Sequence, residues 1–126
     1  MNTLENKISK LRPSESAMFR TITTPGVLPY NSRLRLAYLP EVSVEAIQIL
    51  AQDSSKTVRR AVANRENLPI QVIKMLSGDT DVLVRERLAF NKNTPDSILK
   101  GLKKDSNQWV AKTARISLQI KNKKTN

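Results

Sequence analysis

Eight basic residues crowd the last stretch of this chain: Lys100, Lys103, Lys104, Lys112, Arg115, Lys121, Lys123 and Lys124. Asp105 is the one acid among them. Between Lys100 and Asn126 the balance is +7, and the other residues together carry +4. Ammonium and guanidinium groups at that density hold anions, above all the phosphates of a nucleic-acid backbone. The same charge also reads as a solvated end that keeps the chain soluble and monomeric. Trp109, the single tryptophan, lies beside Lys112. It either covers the open end of an aliphatic core or offers a base a stacking surface.

The rest of the catalytic repertoire is thin. There are no cysteines and no histidines. That removes disulfides, thiolate and imidazole metal sites, cysteine nucleophiles and histidine bases. Three glycines form no phosphate-cradling loop, and no serine sits in a nucleophile pattern. The residues therefore predict no enzyme, no metal, no cofactor and no small-molecule substrate. No apolar stretch is long enough to span a membrane, and Met1–Lys7 has no apolar signal region. The expected setting is the cytoplasm.

A period of 26 residues organises the chain. Val58-Arg59-Arg60-Ala61-Val62-Ala63 aligns with Val84-Arg85-Glu86-Arg87-Leu88-Ala89, and Leu68-Pro69 through Leu76 aligns with Thr94-Pro95 through Leu102. Asp53, Asp79 and Asp105 recur in one register; Arg33, Arg59 and Arg85 recur in another. A repeat of this length predicts a solenoid, in which each unit buries its apolar face on its neighbours. Each repeat reads as two helices. The first carries Val58, Ala61 and Val62, or Val84 and Leu88, on one face. The second follows Pro69 or Pro95 and carries Val72, Ile73 and Leu76, or Ile98, Leu99 and Leu102. Thr94 is the expected N-cap of the helix after Pro95, and Asn31 or Ser32 that of the first helix.

The string Leu88-Ala89-Phe90-Asn91-Lys92-Asn93-Thr94-Pro95, with Ile98-Leu99 and Leu102 after it, resembles the leucine-rich repeat variant family. So does Asp79 followed by Val84-Arg85. The resemblance spans about residues 31–118 and implies a right-handed superhelix. The spacing of six in Asp53…Arg59 and Asp79…Arg85 is also similar to the Asp…Arg ladder of HEAT repeats. That similarity implies a structural ladder of Asp53, Arg59, Asp79, Arg85 and Asp105. Arg33, Arg59 and Arg85 could instead read phosphates directly. Ser43 stands where the pattern has a helix-opening proline, and Ala111 where it has an arginine. Some leucine-rich repeat variant proteins hold a cysteine-ligated iron–sulfur cluster, which this chain cannot. HEAT-like arrays include alkylpurine DNA glycosylases, whose pocket needs a carboxylate beside aromatics. Asp105 near Trp109 is the one such pairing, and Asp105 already has a ladder position.

The fold expected is therefore all-α: a right-handed α-solenoid of about three two-helix repeats between helical caps. Residues 1–29 form the N-terminal cap, 30–118 the array with its C-terminal capping helix, and 119–126 a basic C-terminal tail, frayed from Lys121 on. Tyr30 and Tyr38 are expected to pack against the N-terminal cap. The function expected is a non-enzymatic module docking on DNA or RNA phosphates. The alternative is a protein–protein adaptor whose basic end meets an acidic protein. The docking residues expected are the eight basic residues of the last stretch together with Arg35 and Arg87, which share a repeat position and extend the basic stripe.

Overall fold

The computed structural model describes residues 29–124, and these hold seven helices and no strand. They are α1 (Tyr30–Tyr38), α2 (Val44–Leu50), α3 (Lys56–Ala63), α4 (Ile70–Ser77), α5 (Val82–Phe90), α6 (Asp96–Leu102) and α7 (Gln108–Lys124). The odd-numbered helices open at Tyr30, Lys56, Val82 and Gln108, and the even-numbered at Val44, Ile70 and Asp96. Each step is one sequence period, so the repeat of residues is a repeat of helices. The expected N-terminal cap lies almost wholly outside the described residues.

The chain divides into two compact units, one ending at Val62 and the other beginning at Ala63. In the first, α1 packs against α2. Leu36 and Ala37 of α1 are buried, as are Ala46, Ile47 and Leu50 of α2 and Val58, Ala61 and Val62 of α3. Ser43 takes over the task of the missing proline, since its hydroxyl accepts from the Ala46 N–H at 3.2 Å and caps α2. Asn31 and Ser32 do not cap α1. They lie inside it, and Pro29 precedes it without a side-chain cap. Tyr30 and Tyr38 are both exposed.

In the second unit α7 packs against α5 and α6, and α4 against α5 and α6. Ala89, Leu99, Leu102, Val110, Ala114 and Leu118 form one core, with Val82 and Ile98 against it. Val110, Ala114 and Leu118 follow the helical period along one face of α7. Val72, Ile73 and Leu76 of α4 are buried as well. Side-chain amides close the α5–α6 connection. Asn91 donates to the carbonyls of Ala63 and Arg65 at 3.0 and 2.7 Å, and Asn93 donates to Glu66 at 2.7 Å. Thr94 does not act as the expected N-cap. Its buried hydroxyl donates back to the Leu88 carbonyl at 2.7 Å, and Pro95 takes the cap position. A buried hydroxyl must find a partner, and the last turn of α5 supplies one.

Aspartates and arginines form ladder rungs, with a register that spacing alone does not give. Arg85 Nε donates to Asp105 Oδ2 at 2.8 Å, twenty residues ahead, and a second nitrogen reaches Oδ1 at 3.1 Å. Six residues back, Arg85 meets the backbone carbonyl of Asp79 at 2.7 Å. Arg33 repeats the forward rung, with Nε donating to Asp53 Oδ2 at 2.9 Å, and Arg59 repeats the backward one, donating to the Asp53 carbonyl at 2.7 Å. Each of Asp53, Asp79 and Asp105 also accepts, through Oδ1, from the N–H two residues on at 2.9 Å. The aspartate thus shapes the turn, while the arginine fixes it to a helix. Hydrogen bonding by the Arg85 guanidinium holds the Asp105 carboxyl below the usual carboxylate range, against the opposing effect of burial.

Candidate anion-binding site

Leu99 and Leu102 anchor α6 in the core, and that turns the next residue after each, Lys100 and Lys103, outward. Lys100 lies in the last turn of α6 and Lys103 follows as its C-cap. Opposite them, Leu118 holds α7 down, and Arg115, Gln119 and Asn122 come up on the flank facing α6 at helical spacing. The result is a shallow groove of about 340 Å³ lined by Asp96, Lys100, Lys103, Arg115, Leu118, Gln119 and Asn122. Lys100, Lys103 and Arg115 are exposed. None of the three makes an ion pair with another described residue. Three cations outnumber the one carboxylate of the lining, Asp96, which Lys121 engages, and such a set suits a ligand with several anionic oxygens.

Other basic residues extend or leave this set. Lys112 and Lys123 are exposed and share the outer face of α7 with Arg115 and Gln119. Lys112 Nζ sits 5.6 Å from the centre of the Trp109 ring, a cation–π arrangement. Lys104 is exposed in the α6–α7 turn that the Arg85–Asp105 rung fixes. Lys124 is exposed at the end of α7 and lines a different groove. Lys121 is engaged within the chain. Its ammonium donates to the Thr94 carbonyl and lies 3.5 Å from an Asp96 carboxylate oxygen, so it fastens α7 to the start of α6. Arg87 is exposed on α5 and Arg35 on α1, each in its own unit.

Two expectations change here. Trp109 does not close the core: it is 59% exposed, because Val110, one residue on, takes the buried position. Lys121 to Lys124 are not frayed, since α7 runs unbroken to Lys124. The basic residues near the end are therefore held in fixed register on a helix. Asp105 does not serve as a free carboxylate beside Trp109, for both its oxygens are taken by Arg85 and the Asn107 N–H. Among the described residues no cluster of acidic side chains could hold a metal ion, and no helix is long and apolar enough to cross a membrane.

One surface escaped the residue-by-residue reading. Phe90, Ile116 and Ile120 are all exposed, Phe90 to 79%. The signal was present, because Phe90 and Ile116 are one repeat period apart. A position that is apolar in successive repeats reads as core until the buried face of each helix is known.

No protein-family model, curated protein or solved structure matches this chain.

Proposed function

We propose that this chain is a non-enzymatic helical-repeat module that docks on the phosphate backbone of a nucleic acid. The observation that carries the reading is the groove between α6 and α7, where Lys100, Lys103 and Arg115 converge and the one carboxylate of the lining, Asp96, pairs with Lys121 instead. Phosphate contacts supply affinity and orientation but no sequence information. Few aromatics and a shallow groove fit backbone docking better than base readout. The 26-residue recurrence of helix starts supports a solenoid of the leucine-rich repeat variant or HEAT type, right-handed as that resemblance implies.

Titration of the purified, nuclease-treated chain with fluorescently labelled duplex and single-stranded oligonucleotides tests the reading. Binding is expected at low ionic strength, weakening steeply as salt rises. Nucleic acid should also copurify, as absorbance at 260 nm that nuclease and high salt remove. Absence of binding to either form at low ionic strength would overturn the proposal.

A further inference from the structure

We infer that a second groove, between α5 and α7, is a docking site for an acidic amphipathic helix of a protein partner. The groove has a volume of about 650 Å³, and its floor and walls include Phe90, Ile116 and Ile120. These side chains are not needed to hold α7 down, since Val110, Ala114 and Leu118 do that from the opposite side of the helix. Trp109, Ile116 and Ile120 fall along one line of α7 at intervals of seven and four residues. That line is about 16 Å long, the rise of three helical turns. Trp109 lies outside the lining of the groove and continues its apolar line along α7, and an amphipathic helix laid along that line has about that length to contact. Exposed apolar surface grouped in this way marks an interaction site more often than a solvated face.

Charge selects the occupant. Lys92 and Lys124 border the groove, against the single carboxylate of Glu86, while Lys121, also in the lining, is engaged by Asp96. Lys92 is held only by an exposed pair with Glu66 at 3.2 Å, a contact an incoming carboxylate can replace. Lys124 makes no ion pair with another described residue. A second copy of this chain, at +11, would bring like charge to the site. So would the chain's own first 28 residues, where Lys7, Lys10, Arg12 and Arg20 outnumber Glu5 and Glu15. The partner with complementary charge carries leucine or phenylalanine on one face and aspartate or glutamate on the rest.

The inference does not rest on nucleic-acid binding, because the two grooves lie on opposite flanks of α7 and share no lining residue. The probe is a labelled peptide of about 14 residues, four helical turns, with leucines at i, i+4, i+7 and i+11 and glutamates elsewhere. Two controls accompany it, one with lysines for the glutamates and one with serines for the leucines. The acidic amphipathic peptide is expected to bind the full chain saturably, and both controls at least about tenfold more weakly. Phe90→Ser combined with Ile120→Ser changes only exposed positions. It should weaken peptide binding by roughly tenfold or more and leave oligonucleotide binding unchanged. Equal affinity for the basic peptide, an unaltered affinity in the double variant, or no binding of the acidic peptide would overturn the inference. So would self-association of the chain that the double variant abolishes, since a second copy would then own the groove.

Discussion

Replacing Leu99 with alanine should cost about 2–5 kcal/mol of stability, the usual range for a fully buried leucine. Leu99 is fully buried on α6 and belongs to the core with Ala89 of α5 and Val110, Ala114 and Leu118 of α7. Truncation removes apolar surface from that core and leaves a cavity that the surrounding helices cannot close without moving. In a domain of this size each kcal/mol lowers the melting temperature by about 4–8 °C. Ser97→Ala, two residues earlier on the exposed side of α6, should stay within about 0.5 kcal/mol. Thermal melts of the two variants that coincide would mean that α6 does not pack as described.

The second large effect belongs to Asp105. Asp105→Ala removes two hydrogen bonds from the Arg85 guanidinium and one from the Asn107 N–H. The two side chains are only 14% and 8% exposed, so water restores little of the loss. A hydrogen bond to a charged group is worth about 1.5–3 kcal/mol, and the variant should lose at least that much. Asp96→Ala is the comparison. Its side chain is about half exposed and pairs with Lys121 across 3.5 Å, which predicts a change below about 1 kcal/mol.

The rung also predicts a direction with pH. Because Arg85 holds the folded-state carboxyl of Asp105 below its ordinary value, the stabilisation is complete above the unfolded value near about 4. It is lost as pH falls through the lower folded value. Wild type should therefore exceed Asp105→Asn in melting temperature at neutral pH, and the gap should narrow below about pH 4. A gap independent of pH would show that the charge of Asp105 contributes nothing.

Much of this was legible in the chain, and the particular residues show why the rest was not. The 26-residue period placed every described helix, because apolar spacing and proline position act locally. The partner of Arg85 was ambiguous because Asp79 and Asp105 are both in register with it. Folding divides them, with the backbone carbonyl of Asp79 and the carboxylate of Asp105 meeting the same guanidinium. Thr94 could cap the helix ahead or bond to the helix behind, and its burial decided for Leu88. On α7, apolar residues cover too wide an arc for periodicity to choose the buried half. Packing against α5 and α6 chose Val110, Ala114 and Leu118, and left Trp109, Ile116 and Ile120 outside. For the basic residues, sequence showed the excess of charge but not its use. Lys121 is drawn into holding α6 and α7 together, while Lys100, Lys103 and Arg115 are left facing one groove.

The phosphate-docking account meets its most direct test in the salt dependence of oligonucleotide binding. Wild type is compared with a triple variant, Lys100→Gln, Lys103→Gln and Arg115→Gln, whose melting temperature confirms the fold. Each phosphate contact contributes about 0.7–0.9 to the slope of log affinity against log salt. Removing three cations that each meet a phosphate should flatten the slope by about 2–3. A slope unchanged in the triple variant, with binding intact, would contradict the assignment of the α6–α7 groove as the docking site.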